Sequence, residues 1–172
     1  TKTYPFLPYE TGITPGSEPC VFEVPEVGIF GMHICYDLWF PETSRALAMK
    51  GAQVILHPSL TDTCDRDEEK IMARATAIQQ QCYYIDVNAG GKQGRGLSIA
   101  LGPEGEVLNE SSVGEDIVLI EIDTDKGILN VQLTKVSAII SNPASDPNTN
   151  TQTQLEVQIL LKQLILLEII IQ

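Results

Sequence analysis

A thiol at the tip of an apolar run, followed at once by a proline-started helix, is placed where a nucleophile can be exposed on a rigid support. Cys35 has that setting, in Gly31-Met32-His33-Ile34-Cys35-Tyr36-Asp37-Leu38-Trp39-Phe40-Pro41-Glu42. Residues 28–34 read as a strand, Pro41-Glu42 suits a helical first turn, and Cys35 falls in the bend between them. A thiolate attacks carbonyl carbon readily, but a free thiol ionises only near pH ~8.5 and needs a neighbouring cation to hold the charged form. An ammonium such as Lys2, if folded against the thiol, would favour that form. The backbone N–H of Tyr36, just after the thiol, could face a developing oxyanion together with Lys2. Each residue also has an ordinary explanation. A Cys after apolar neighbours is commonly a small buried hydrophobe, and a lone Lys or Glu is commonly a solvated surface group.

Beyond these residues, the chain resembles the nitrilase, or carbon-nitrogen hydrolase, superfamily, whose nucleophile lies in a Cys-Tyr-Asp-x-x-Phe-Pro-Glu stretch. Cys35, Tyr36, Asp37, Phe40, Pro41 and Glu42 fit that pattern. Lys2-Thr3-Tyr4-Pro5, Glu10 and Thr14-Pro15-Gly16 upstream fit it too, most like the aliphatic amidase branch. So do Arg45-Ala46-Leu47-Ala48, His57-Pro58-Ser59, Ala73-Arg74-Ala75, Asn88 and Gly102-Pro103 with Gly105. The resemblance implies an αββα sandwich, of which this chain would be the C-terminal part. It also implies a thiol hydrolase that cleaves a non-peptide C–N bond of a small amide, releasing ammonia through a Cys35 thioester. Lys2 and Glu10 would be catalytic, Tyr36 would supply the oxyanion donor, and Trp39, Ser59 and Leu60 would line the pocket. Trp39 reads equally as a core or interface aromatic, and Ser59-Leu60 as a plain loop. The general base would be a glutamate upstream of Thr1. A nitrile or a carbamoyl compound is the alternative substrate, and a catalytically inactive assembly subunit or fragment the alternative role. Homo-oligomers are expected, and no cofactor or metal.

Composition narrows the classes further. With 172 residues and 43% hydrophobic content the chain can bury a core. A formal charge of −12 disfavours nucleic acid and anionic membrane surfaces, which both select for Lys and Arg. Cys20, Cys35, Cys64 and Cys82 show no CxxC spacing, which points to reduced thiols and a cytoplasmic setting. His33 and His57 have no metal-ligand spacing. His33, between apolar neighbours, reads as a satisfied core histidine, and His57 as a pocket residue or the maker of a structural hydrogen bond.

The elements that would position these groups follow from periodicity and punctuation. Strands are expected over 21–24, 27–34, 53–57, 83–88, 97–101, 107–108 and 117–122, and helices over 43–50 and 65–81. Ile71, Ala75, Ile78 and Cys82 recur at helical spacing in the second helix, and Gly51 is the expected stop of the first. Asp37 is expected to hold the elbow through a backbone or Arg contact, and Glu42 to pair with Arg45. The glycines from Gly90 to Gly96 lack the order of a phosphate-binding loop and read as turns. The catalytic portion is assigned to residues 1–125. Residues 126–172 form a C-terminal extension, with a polar linker followed by a Leu- and Ile-rich stretch suited to a contact between subunits.

Overall fold

The computed structural model describes residues 2–7, 9–114 and 116–124, so the extension expected over 126–172 lies outside the described residues. Six strands form one mixed sheet in chain order: β1 (Cys20–Val24), β2 (Gly28–Met32), β3 (Val54–Ser59), β4 (Tyr83–Asn88), β5 (Ile99–Leu101) and β6 (Val107–Glu110). β1 and β2 form a hairpin whose turn places Glu26 at φ +63°. β2, β3 and β4 are parallel, connected through α1 (Pro41–Met49) and α2 (Asp65–Gln80). β5 and β6 close the sheet as an antiparallel meander. This is the α/β layout expected. The described residues supply one sheet with two helices rather than both sheets of the sandwich.

Parallel pairing brings the C-terminal ends of β2, β3 and β4 to one edge, where α/β proteins build their sites. Side chains two apart share a face, so Ile55 and His57 on β3 lie beside Tyr84 and Asp86 on β4, with His57 in register with Asp86. Toward the strand starts this face is apolar. Ile55, Tyr84, Ile99 and Leu101 pack with Leu38, Leu47, Ala52, Ala73, Ala77 and Cys82 in one buried cluster. Gly31 allows α1 to approach: a Cβ there would stand 3.0 Å from Ala52 Cβ and 3.1 Å from Leu47 Cβ. Toward the strand ends the same face turns polar, at His57 and Asp86.

Two expectations are corrected. α2 forms where its spacing places it, but the stripe of Ile71, Ala75 and Ile78 is not its buried face. Ile71 is 70% exposed, and the helix turns Arg66, Glu69, Ala73, Thr76, Ala77 and Gln80 inward. The inward charges have partners: Arg66 meets Asp86 on β4, and Glu69 meets Arg66 and Thr61. Residues 117–122 form no ladder. Val118 and Ile120 instead help to line a cavity of about 380 Å³ with Ile85, Val87 and Ala100 of β4 and β5. Asp123 N donates to Tyr83 Oη at 3.2 Å, and Gln53 Nε2 donates to Thr124 O at 2.7 Å. Ile117 and Leu119 face outward. Alternation here reports which side faces the sheet, without a neighbouring strand.

Smaller differences are local. β2 ends at Met32 rather than running to Ile34, because the chain turns toward the elbow. β5 begins at Ile99, after Leu97 adopts φ +57° and breaks the extended run. Arg45 reaches Gln80 Oε1, at 3.4 Å, rather than Glu42.

Candidate active site

Between β2 and α1 the backbone makes a corner. Ile34 is extended, Cys35 takes φ +51°, and residues 35–39 wind into a 3-10 turn before Pro41 opens α1. A left-handed conformation at a residue with a side chain costs about 1–3 kcal/mol and persists only where its surroundings impose it. Three contacts impose it here. Asp37 Oδ2 accepts from Ile34 N at 2.9 Å, Asp37 N donates to Ile34 O at 3.1 Å, and Cys35 O accepts from His57 Nε2 at 3.0 Å. The corner thus presents a half-buried thiol at the end of the parallel strands.

Asp37 also joins a distant segment to this corner. Its Oδ1 accepts from Thr3 N at 2.9 Å and Tyr4 N at 2.8 Å. The Tyr4 ring stacks on Phe40 with centroids 3.8 Å apart, and Phe6 lies 4.9 Å from the Tyr36 ring. Lys2 is thereby drawn in. Its side chain is buried, and Nζ lies 2.6 Å from both oxygens of Glu10. Glu10 Oε2 also accepts from Phe6 N. Burial pushes the Glu10 carboxyl up, but the hydrogen bonds from Lys2 and Phe6 and the lysine charge outweigh it and hold the group below its usual 4.5.

Behind the corner lies a buried ionic cluster. His57 Nδ1 is 3.0 Å from Asp86 Oδ1, and Asp86 Oδ2 is 2.8 Å from Arg66 Nη1. The second contact is an ion pair whose approach is too oblique for a hydrogen bond. Arg66 also donates to Glu69 at 3.1 Å and to Leu97 O at 2.8 Å. Thr61 Oγ1 donates to Glu69, while Asn88 bridges Thr61 and Gly96 through its amide. The sequence hints at the cluster only through Asp86, a charge in the middle of an apolar strand, and through Arg66 and Glu69 at i, i+3 spacing.

Of the anticipated site residues, Lys2 and Glu10 pair with each other, and their segment is tied to the Cys35–Tyr36 corner through Asp37 and the aromatic contacts. Ser59 Oγ lies 3.1 Å from Thr61 Oγ1, at the end of β3. Trp39 and Leu60 are exposed. Asp37 makes the backbone contacts anticipated for it. His33 is buried, between Thr43 Oγ1 at 3.2 Å and Tyr84 Oη at 2.8 Å. Of the other thiols, burial pushes Cys82 up to about 12, which suits it to the core alone. Among the described residues, no cluster of His, Cys, Asp and Glu suits a metal ion, and no helix is long and apolar enough to cross a membrane.

Helices against one face of a mixed sheet, with the nucleophile-type corner at its parallel edge, define an α/β protein of the nitrilase-superfamily fold. Saccharomyces cerevisiae Nit3, a member of branch 10 of that superfamily, superposes with a TM-score of 0.62 at 26% identity, over 80% of this chain and 50% of that one. A mutant of the amidase from Nesterenkonia sp. AN1, with the acetamide moiety of fluoroacetamide added at its active site cysteine, gives 0.66 at 25% identity, over 78% and 54%. The family model for carbon-nitrogen hydrolases matches residues 5–127, and the chain belongs to that family. The omega-amidase NIT3 of Saccharomyces cerevisiae is 29% identical over 119 residues, 66% of this chain and 40% of the relative. The deaminated glutathione amidase of Homo sapiens is 33% identical over 102 residues, 56% of this chain and 31% of the relative. The chain spans less than half the length of either.

Two outcomes follow from this geometry, both read on the complete protein. Asp37→Ala leaves three backbone N–H groups without their carboxylate, and urea unfolding should show a loss of at least about 3 kcal/mol. An unchanged midpoint would mean that water replaces the carboxylate without cost. Glu10 is held below its ordinary value in the folded state, so its contribution is complete above about pH 4.5 and is lost as pH falls through the folded value. The stability gap between the protein and Glu10→Gln should therefore be constant near neutrality and shrink in acid. A gap that widens as pH falls would show that the Lys2 pair does not hold the carboxylate.

Proposed function

We propose that the complete protein is a thiol hydrolase that releases ammonia from a small primary carboxamide through an acyl thioester on Cys35. The observation that carries this reading is the left-handed Cys35 corner with the half-buried Lys2–Glu10 pair tied to it through Asp37. In the first half-reaction the Cys35 sulfur bonds to the carbonyl carbon and the C–N bond breaks, with a proton delivered to the leaving ammonia. In the second, water adds to the thioester, the C–S bond breaks, and the acid and the free thiol are regenerated. Charge develops on the carbonyl oxygen in both steps, and Lys2 Nζ and the Tyr36 N–H are the donors assigned to it. Glu10 orients Lys2, and an upstream glutamate, as the family resemblance implies, serves as general base.

The named relatives favour amides over nitriles. Two are amidases by name, and the Nesterenkonia enzyme carries an amide-derived adduct on its cysteine. Trp39, Ser59 and Leu60 are assigned to the mouth of the substrate pocket. Exposed Met49, Ile71 and Ile78 on the two helices support assembly with further copies of the chain. Four free thiols support a reducing, cytoplasmic setting.

Ammonia release by the complete protein from acetamide, propionamide and butyramide, with the matching nitriles alongside, tests the reading. Cys35→Ala should abolish turnover, and fluoroacetamide should add its acetamide moiety at Cys35 by mass spectrometry. Lys2→Ala should lower kcat by about a hundredfold or more with a smaller change in KM. Full turnover in Cys35→Ala, or an adduct confined to Cys20 or Cys64, would overturn the assignment. A folded protein silent on these and on carbamoyl compounds would leave the inactive assembly subunit as its role.

A further inference from the structure

The His57 ring is fully buried, and both its nitrogens face acceptors. Nε2 meets the carbonyl oxygen of Cys35 and Nδ1 meets Asp86 Oδ1, each at 3.0 Å. A carbonyl oxygen has no proton to give. Asp86 stays a carboxylate, because its other oxygen is 2.8 Å from the Arg66 guanidinium, which does not deprotonate in proteins. Both ring nitrogens must therefore donate, and the ring is an imidazolium. Charge balance gives the same answer. Asp86 and Glu69 bring two buried negative charges and Arg66 one positive charge, so a cationic ring makes the cluster neutral.

The neighbouring histidine differs. Thr43 Oγ1 directs its hydrogen at Asp37 O and Phe40 O, so His33 Nδ1 donates to it and Nε2 accepts from the Tyr84 hydroxyl. Burial first, and then the charge of His57, hold His33 well below the usual histidine range, while burial and nearby carboxylates keep the Tyr84 phenol protonated. These two rings, at 5.0 and 5.7 Å, are the other aromatic groups against His57. One histidine of the pair is neutral and the other charged.

The acceptor of the His57 Nε2 proton belongs to the peptide unit whose other end is the Tyr36 N–H. Amide resonance couples the two ends: a cation on the oxygen draws the nitrogen lone pair toward the carbonyl and makes the N–H a stronger donor. We propose that His57 is a cationic positioning residue, backed by Asp86 and Arg66, that polarises the Cys35–Tyr36 peptide and so strengthens Tyr36 N–H toward the oxyanion. This rests on the thiol-hydrolase reading of Cys35.

The complete protein, labelled with 15N, provides the test at neutral pH. Long-range 1H–15N spectra should show both His57 nitrogens protonated and only one in His33. His57→Gln can still donate one N–H to Cys35 O but carries no charge. In that variant the Tyr36 amide proton should move upfield, and kcat on propionamide should fall about tenfold, a part of the ~10²–10³-fold that losing a whole oxyanion donor costs. KM should stay within about twofold, a split that general loosening of the site would not give. A deprotonated His57 nitrogen in the unmodified protein overturns the inference, and so does full kcat or an unmoved Tyr36 amide in the variant. If His57→Gln does not fold, the ring resonances of the unmodified protein still decide. If no amide is hydrolysed, the functional reading falls, while the ring and amide resonances separately settle the charge and its effect on the peptide.

Discussion

A carboxylate buried in a protein must recover, from fixed donors, the hydration it has lost. Asp37 recovers it from three backbone N–H groups, one in its own turn and two more than thirty residues upstream. That single requirement fixes several things together. It holds the corner that carries Cys35, and it brings the segment containing Lys2 against the turn. It also sets Tyr4 over Phe40, so that an aromatic layer seals the junction. None of these could be satisfied separately, since each donor reaches the same carboxylate only in this arrangement.

The ionic cluster imposes a second constraint, on α2. Arg66 and Glu69 have to face the strand ends to be paired, and this sets the rotation of the helix about its axis. Ile71 and Ile78 are left outside as a result. Replacing such a cluster with well-packed apolar residues often leaves stability unchanged or improves it, so stability alone does not account for it. The contact of His57 with the Cys35 carbonyl is where that role would act.

How much was legible in the sequence depended on the range of the interaction. The corner from Cys35 to Glu42 was readable because strand end, turn and helix start are punctuated by neighbouring residues. The parallel strands and both helices followed from their spacing. The inward face of α2 did not, because apolar periodicity presumes that charges face water, and here two of them are paired in the interior. The 117–122 segment misled for a related reason, since alternation marks the sides of an extended chain and says nothing about a hydrogen-bonded neighbour. The Lys2–Glu10 pairing could be anticipated only through family resemblance. The link from His57 through Asp86 to Arg66 joins three separate elements, and no local pattern announces it.

The sheet has its strands in the order in which the chain supplies them. Each new strand can therefore pair with one already in place, β1 with β2 across a tight turn and β2, β3 and β4 across helical crossovers. The upstream segment is different: it meets Asp37 at sequence separations of 34 and 33, and its anchor point exists only once β2 and α1 have formed the corner. A chain emerging in order would hold residues 2–4 idle while the corner assembles behind them. The Lys2–Glu10 pair is thus anchored late, and a partly folded molecule would hold the Cys35 corner before that pair is tied to it.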